Sequence, residues 1–250
     1  MAHWYLIPPV FFVLSLLFAM LGLGGAQLYV PVLFWLGLKF KTEAIPLGLL
    51  LNMVTTSSAA FTYIKNRLVN WRIAIPMSAA MSVSAVGGAV VNSHAPTRVI
   101  IIIFAITTAG ASVMILVSRK PARTDFSSPI KFALCILSGL VFGFLAGLIG
   151  KAGGVFVVPL LYIFGIEPKI IAGTTAITVF FASLSGFFSH LAMASPRWDI
   201  WILCALSVLA GSQVGSRIMA KNIPTRYTKI VFAGILLVIS AKLIVQSFRL

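Results

Sequence analysis

The sequence predicts an all-α integral membrane protein made of two homologous halves of about five membrane segments each. Two observations carry this. Of 250 residues, 60% are hydrophobic and 9% charged, and the apolar runs are separated by short polar turns, which excludes a water-soluble fold. A glycine-rich interruption, GLGGAQLYVPVL from Gly22 to Leu33, returns in the second half as GKAGGVFVVPLL from Gly150 to Leu161. The offset that carries Gly22 onto Gly150 also relates Pro31 to Pro159, Gly37 to Gly165, Gly87 to Gly215 and Pro96-Thr97-Arg98 to Pro224-Thr225-Arg226; Trp71 matches Trp198 after a one-residue slip. The repeats are read as 1–118 and 130–250, joined by a basic linker, 119–129.

Membrane segments are expected in order at about 5–21, 26–38, 44–64, 73–92 and 98–118, then 130–149, 155–166, 170–190, 199–216 and 227–248. No Lys or Arg precedes the first run and no small-x-small cleavage site follows it, so it is expected to remain as a membrane segment rather than a removed signal. It ends at the first glycine break, and 130–149 ends at the second. A membrane helix that gives up its regular backbone must satisfy the freed N–H and C=O groups, which lipid cannot do, so each break is expected to line a protected or wet cavity. Twin breaks in matching positions of two halves point to a binding site between them.

The formal net charge of +15 lies in the loops, where membrane topology accounts for it, so no nucleic-acid partner is expected. The partners implied are the lipid bilayer and a small anion. If each broken stretch crosses the membrane once, the two sides carry 10 and 8 of the Lys and Arg residues. If it folds back, Lys65, Arg67, Arg72, Arg119, Lys120, Arg123, Lys131, Lys169, Arg217, Lys221, Arg226 and Lys229 gather on one side. Lys39, Lys41, Arg98, Arg197, Lys242 and Arg249 stand on the other, twelve against six. The asymmetry favours folding back, inverted halves, a cytoplasmic linker and both termini outside the cytoplasm. Against it stands the second arm of each break, about 12 residues and roughly 18 Å of helix, short of a core of about 30 Å.

Gly139, Gly143 and Gly147 recur every four residues, and Gly211 and Gly215 repeat the spacing. Such faces serve packing inside the bundle more often than a homodimer contact, the alternative partner. By contrast Gly22, Gly24, Gly25 and Gly150, Gly153, Gly154 crowd too densely for packing alone and read as unwound loops with exposed N–H groups. A short helix starting at Ala26 or Val155 would aim a partial positive charge and free N–H donors at the bundle centre, an anion site. Lys151 is the charge inside a membrane segment, and Glu43, Asp125, Glu167 and Asp199 all fall near segment ends, so an anion is its expected partner. The bland alternative is a lysine that snorkels to an interface.

Hydroxyl and amide groups gather nearby. Thr174, Thr175, Thr178, Ser183, Ser185 and His190 mark one segment, and Asn52, Thr55, Thr56, Ser57 and Ser58 mark its counterpart. For any one hydroxyl a bond to its own helix is the commoner role. The substrate-binding set expected from these arguments is Lys151, Gly153, Gly154, Gly24, Gly25, Gln27, Thr174, Thr175, Asn52 and Ser185. His94 and His190 are expected at segment ends as interfacial residues, and are the titratable candidates if transport is proton-coupled. Cys135 and Cys204 each sit in an apolar run and read as buried inert thiols. Gly150-Lys151 lacks the rest of a phosphate-binding loop, and no HExxH or metal-spaced His/Cys set occurs, so neither enzyme nor cofactor is expected.

Gly-x-Gly-Gly-x-x-x-x-x-Pro-x-Leu, a Gly-Thr-Thr-Ala helix start, Ser-x-Ser-Gly, a Trp-initiated helix ending Gly-x-x-x-Gly-Ser-Arg and Ile-Pro-Thr-Arg before a last apolar run together form a pattern that resembles the sulfite exporter TauE/SafE family. The resemblance covers nearly the whole chain, the second half more closely. It implies a duplicated membrane permease for sulfite, sulfonates and other small, mostly sulfur-containing anions. Ala26 replaces a glycine common in the first break, Lys151 stands where small or apolar residues are common, and Ala44-Ile45-Pro46-Leu47 replaces the Ala-Gly-Thr-Thr of Ala172 to Thr175, so the half-sites are unequal. The expected function is secondary transport or facilitation of a small anion, with alternating access about the two breaks. A passive anion channel and a membrane-bound assembly protein are the rival readings.

Overall fold

The computed structural model describes residues 7–117, 129–150, 153–192, 194–195, 198–222, 234 and 237–245. Among these every regular element is a helix: α1 Ile7–Leu21, α2 Ala26–Trp35, a π-helical turn Phe40–Ala44, α3 Ile45–Lys65, α4 Trp71–His94, α5 Thr97–Val117, α6 Pro129–Ile149, α7 Gly154–Ile163, α8 Pro168–Leu191 and α9 Trp198–Asn222. Residues 237–245 are helical as well. Among the described residues six stretches are long and apolar enough to cross a membrane: Phe40–Lys65, Trp71–His94, Thr97–Met114, Ile130–Ile149, Pro168–Leu191 and Ile200–Lys221. The ten residues each of α2 and α7 make about 15 Å of helix, half the hydrocarbon thickness.

Local chemistry sets the boundaries. Asn70 caps α4, its Oδ1 accepting from Arg72 N at 3.2 Å, and Pro46 and Pro168 open α3 and α8, where a missing N–H costs nothing. At the end of α1, Gly22 N donates to Ala19 O and Leu23 N to Phe18 O, with Gly22 at φ +67°, a left-handed stop. Gly150, its partner in the other half, holds φ +66°. The pair that ends α2 and α7, Gly37 and Gly165, has φ +93° and +79°.

Contacts give the helix directions. Gly139, Gly143 and Gly147 of α6 sit on Met77, Met81 and Ala85 of α4, so the two run parallel; Gly211 and Gly215 of α9 sit on Phe12 and Leu16 of α1, again parallel. Gln213 and Ser216 of α9 donate to Ser58 and Thr62 of α3, while Asn70 and Ser82 of α4 meet Thr174 and Ser185 of α8. Thus α1, α3 and α9 point one way. Between α3 and α8 the register reverses: Asn52 meets Ser183, Leu49 meets Gly186 and Leu68 meets Gly173. Helices α4, α6 and α8 therefore point the other way. Each of α1, α3 and α4 is antiparallel to its counterpart in the second half, α6, α8 and α9, as inverted halves require. The glycine stripes of α6 and α9 are filled inside the chain, so a homodimer would have to use other faces.

The breaks fold back. Ala26 and Val30 of α2 lie beside Asn52 and Gly48 of α3, so α2 runs against α3 and against α1. Gly153 approaches Ala146 and Phe142 of α6, and the Phe156 ring stacks on that of Phe142 at 5.3 Å, so α7 turns back along α6. Large apolar side chains face outward on the long helices, among them Phe61, Val83, Ile106, Ile130, Phe188 and Leu206, the surface a bilayer would cover. Many polar side chains lie inside instead, among them Gln27, Asn52, Thr55, Asn92, Thr175 and Ser183.

Candidate functional site

The two breaks meet. A Cβ on Gly154 would lie 2.9 Å from Leu23 O, so the backbone of one break rests on the other. Both are held on one stripe of α8. Ala172 packs on Gly22, Val179 on Gly154, and Ser183 bonds Asn52, and positions 172, 179 and 183 share one helical face. A matching stripe on α3 places Ile45 on Gly150, Gly48 on Val30, Asn52 on Gly24 and Thr55 on Tyr29.

Asn52 ties the elements together. Fully buried, it accepts from Ala26 N at 2.9 Å through Oδ1, satisfying one free N–H at the start of α2, and donates from Nδ2 to Ser183 Oγ at 2.6 Å. Ser183 Oγ donates on to Val179 O at 2.7 Å. Tyr29 OH pairs with Thr55 Oγ1 at 3.0 Å, and Thr55 Oγ1 bonds Leu51 O at 2.8 Å. The start of α7 is built differently: Gly153 caps it at φ +61°, a conformation that suits glycine, with Met81 Cε 2.6 Å from where a Cβ would sit.

Two polar side chains here have no partner among the described residues. Gln27, in the first turn of α2, is 1% exposed, and its Nε2 makes no hydrogen bond. Thr175, on the α8 stripe between Ala172 and Val179, is fully buried, and its Oγ1 makes none either. A buried donor without an acceptor costs about 1–3 kcal/mol, so such groups mark a strained core or a ligand position. With the N-terminal ends of α2 and α7 converging, the place offers N–H and O–H donors without a fixed negative charge, which suits an anion.

The structure brings Gly24, Gly25, Gln27, Asn52, Gly153, Gly154 and Thr175 to this place. It takes Thr174 elsewhere: its Oγ1 accepts from Asn70 N at 3.0 Å, at the opening of α4. Ser185 donates to Ser82 O at 2.7 Å and serves the α4–α8 contact. Ser57 and Thr56 bond carbonyls of their own helix. Lys151 lies outside the described residues. The expected set lacks Tyr29 and Ser183; Ser183 is findable, because the duplication makes it the counterpart of Thr55, one turn from Asn52. His190 stands in the last turn of α8, at a segment end as expected, but it does not face outward. It is fully buried, with Nε2 2.8 Å from Gly147 O. Cys135 and Cys204 are free and buried.

Spans, buried polar seam and paired half-helices define a multi-pass membrane transport protein. A family model described as Sulfite exporter TauE/SafE matches residues 7–243, and the chain belongs to that family. It is similar to the probable membrane transporter protein y4hK of Sinorhizobium fredii, 29% identical with 94% of this chain and 95% of that one covered. It is also similar to the probable membrane transporter protein YunE of Bacillus subtilis, 24% identical with 92% and 93% covered. Over a shorter stretch, 38% of this chain and 21% of the other, it is 33% identical to Sulfite exporter TauE/SafE family protein 5 of Arabidopsis thaliana. No solved structure matches. Transport rather than catalysis is the role these relatives' names carry.

Proposed function

We propose that the chain is a secondary transporter of small anions, sulfite, sulfonate or a related organosulfur anion, working by alternating access about the two breaks. The observation that carries this is the meeting of two half-helix starts beside the unpartnered Gln27 Nε2 and Thr175 Oγ1. The anion sits between the breaks and takes hydrogen bonds from Gln27, Thr175 and the first N–H groups of α2 and α7. Asn52 holds the first break in register with α8. The family name supports the sulfur chemistry, and the antiparallel relation of matching helices supports rocking of one half against the other. Lys151, just before α7 in the chain, adds its charge to the same anion.

The test is a ligand-stabilisation series on purified protein with sulfite, sulfate, thiosulfate, taurine, sulfoacetate and short carboxylates. A transported anion at a hundred times its Kd should stabilise by about 2.7 kcal/mol and show saturable counterflow in liposomes. Stabilisation by none of these, or flux that is purely conductive, overturns the reading.

A further inference from the structure

At each break two helix-end carbonyls take side-chain donors, and the two halves supply those donors with different chemistry. At the end of α1, Tyr63 OH lies 2.8 Å from Ala19 O and 3.2 Å from Met20 O. The matching positions of the second half are Gly147 and Leu148 at the end of α6. There His190 Nε2 lies 2.8 Å from Gly147 O and Asn92 Nδ2 donates to Leu148 O at 2.6 Å. A phenol has been matched by an imidazole and an amide.

A carbonyl oxygen only accepts, so Nε2 carries the ring proton and Nδ1 of the neutral ring is a bare lone pair. That Nδ1 is buried without a partner, and so is Asn92 Oδ1. Both residues are fully buried. Around the ring, then, stand an unpartnered amide oxygen, Asn92 Oδ1, and the C-terminal end of α6, whose partial charge is negative. What satisfies acceptors is a donor, and the imidazole makes one by taking a proton at Nδ1.

We propose that His190 is the proton-binding site of the transporter, and that its protonation raises affinity for the anion. The inference rests on the anion-transport reading above. Nδ1 takes a proton from water at the end of the bundle where α6 and α8 finish, and the ring becomes an imidazolium donating from both nitrogens. Its positive charge appears at the end of the helix that enters the second break, against the carbonyl of Gly147 and just ahead of Gly150. The first break has no such switch, because Tyr63 donates from a hydroxyl that keeps its proton in the physiological range. One half thus responds to pH while its counterpart does not, which couples a proton to the equilibrium between two inverted arrangements.

Among the described residues, the charged and titratable neighbours on the packed elements are few. Lys41, in the π-helical turn, is anchored on Ser93 O at 3.3 Å and Ala95 O at 2.9 Å, and its positive charge works against a proton on His190. Glu43 in the same turn accepts from Lys39 N, and His94 of α4 is exposed, with Nδ1 against Ser93 Oγ and Val90 O. From α6 come carbonyls alone, Gly147 and Leu148.

Two measurements test this. In protein labelled at its three histidines, NMR of H3Q and H94Q variants isolates the His190 ring, which should be the Nε2-protonated tautomer at high pH and titrate as pH falls. A ring unchanged from about pH 5 to pH 9 overturns the proposal, whatever the substrate. Uptake of methanesulfonate, whose charge is constant over that range, should rise about tenfold in apparent affinity as His190 protonates, and H190Q, which keeps a donor for Gly147 O, should lose that dependence. An H190Q profile identical to wild type overturns the proton site while leaving anion transport standing. Absence of uptake at every pH, with a titrating ring, overturns the anion reading instead.

Discussion

Asn52 is the residue through which the first break, α3 and α8 are joined, and two substitutions separate its roles. Asn52→Leu removes the acceptor for Ala26 N and the donor to Ser183. Stability should fall by about 1–3 kcal/mol and transport should be lost. Asn52→Asp keeps an acceptor for Ala26 N but places a carboxylate beside the proposed anion position. It should fold and yet show no anion-dependent rise in melting temperature. A normal rise in the aspartate variant would move the anion away from Asn52. The two capping glycines differ in the same decidable way. At Gly153 a side chain meets φ +61° as well as the Met81 methyl, whereas at Gly25, with φ −122°, the obstacle is the Tyr29 ring and the backbone conformation is open to any residue. Gly153→Val should therefore cost more transport than Gly25→Val, measured at equal membrane levels; the reverse order would place the substrate on the first half.

Legibility at this scale follows helical geometry. The glycines and Asn52 are readable because breaks and a buried amide stand out against apolar sequence. Thr174 and Thr175 are adjacent, so their side chains point about 100° apart and one alone faces the breaks. Composition cannot choose between them. The choice depends on α8 presenting Ala172, Thr175, Val179 and Ser183 to its neighbours, a fact of tertiary packing. His190 reads as interfacial because it ends an apolar run; α6 and Gly147 cover it there, and that contact is not written in the run itself.

Elements in this protein approach closely because glycine lets backbones touch. Gly147 faces the Ala85 carbonyl and Gly88 the Phe144 carbonyl, so α4 and α6 interlock along their length. Gly147→Ala forces a methyl into backbone that cannot move aside and should lower stability by about 1–3 kcal/mol. Gly110 in α5 has no atom within 4 Å of its missing Cβ, and Gly110→Ala should be neutral or stabilise by up to about 1 kcal/mol through helix propensity. Thermal midpoints in one detergent check the pair. Equal effects at the two sites would mean that the α4–α6 contact is not what sets stability. The four-residue glycine spacing is visible in the sequence, as is its use within the bundle rather than between chains. Which helices it joins is not, because α6 packs on a helix of the other half.

Across the whole molecule, the fold-back of both breaks turns a charge count into an orientation. With α3 starting at one end, Lys39, Lys41 and Arg98 lie there, together with Lys242, whose Nζ stands 3.8 Å over the Trp35 ring at the end of α2. Lys65, Arg67, Arg72, Lys131, Arg217 and Lys221 lie at the other end, where Lys169 Nζ also sits 3.3 Å from Ala220 O. The richer end should face the cytoplasm, because basic loops resist translocation. Helix α1 runs parallel to α3 and so begins at the poorer end, and the helix at 237–245 brings Lys242 to that same end. Both termini should therefore lie outside the cytoplasm. Fusing a reporter active only in the cytoplasm to the C-terminus should give no signal, and fusing it within 119–129 should give a strong one. The opposite pair of results would reverse the orientation without touching the fold. Signal from both positions would contradict a folded-back second break, since the linker and the C-terminus fall on one side when that break crosses once.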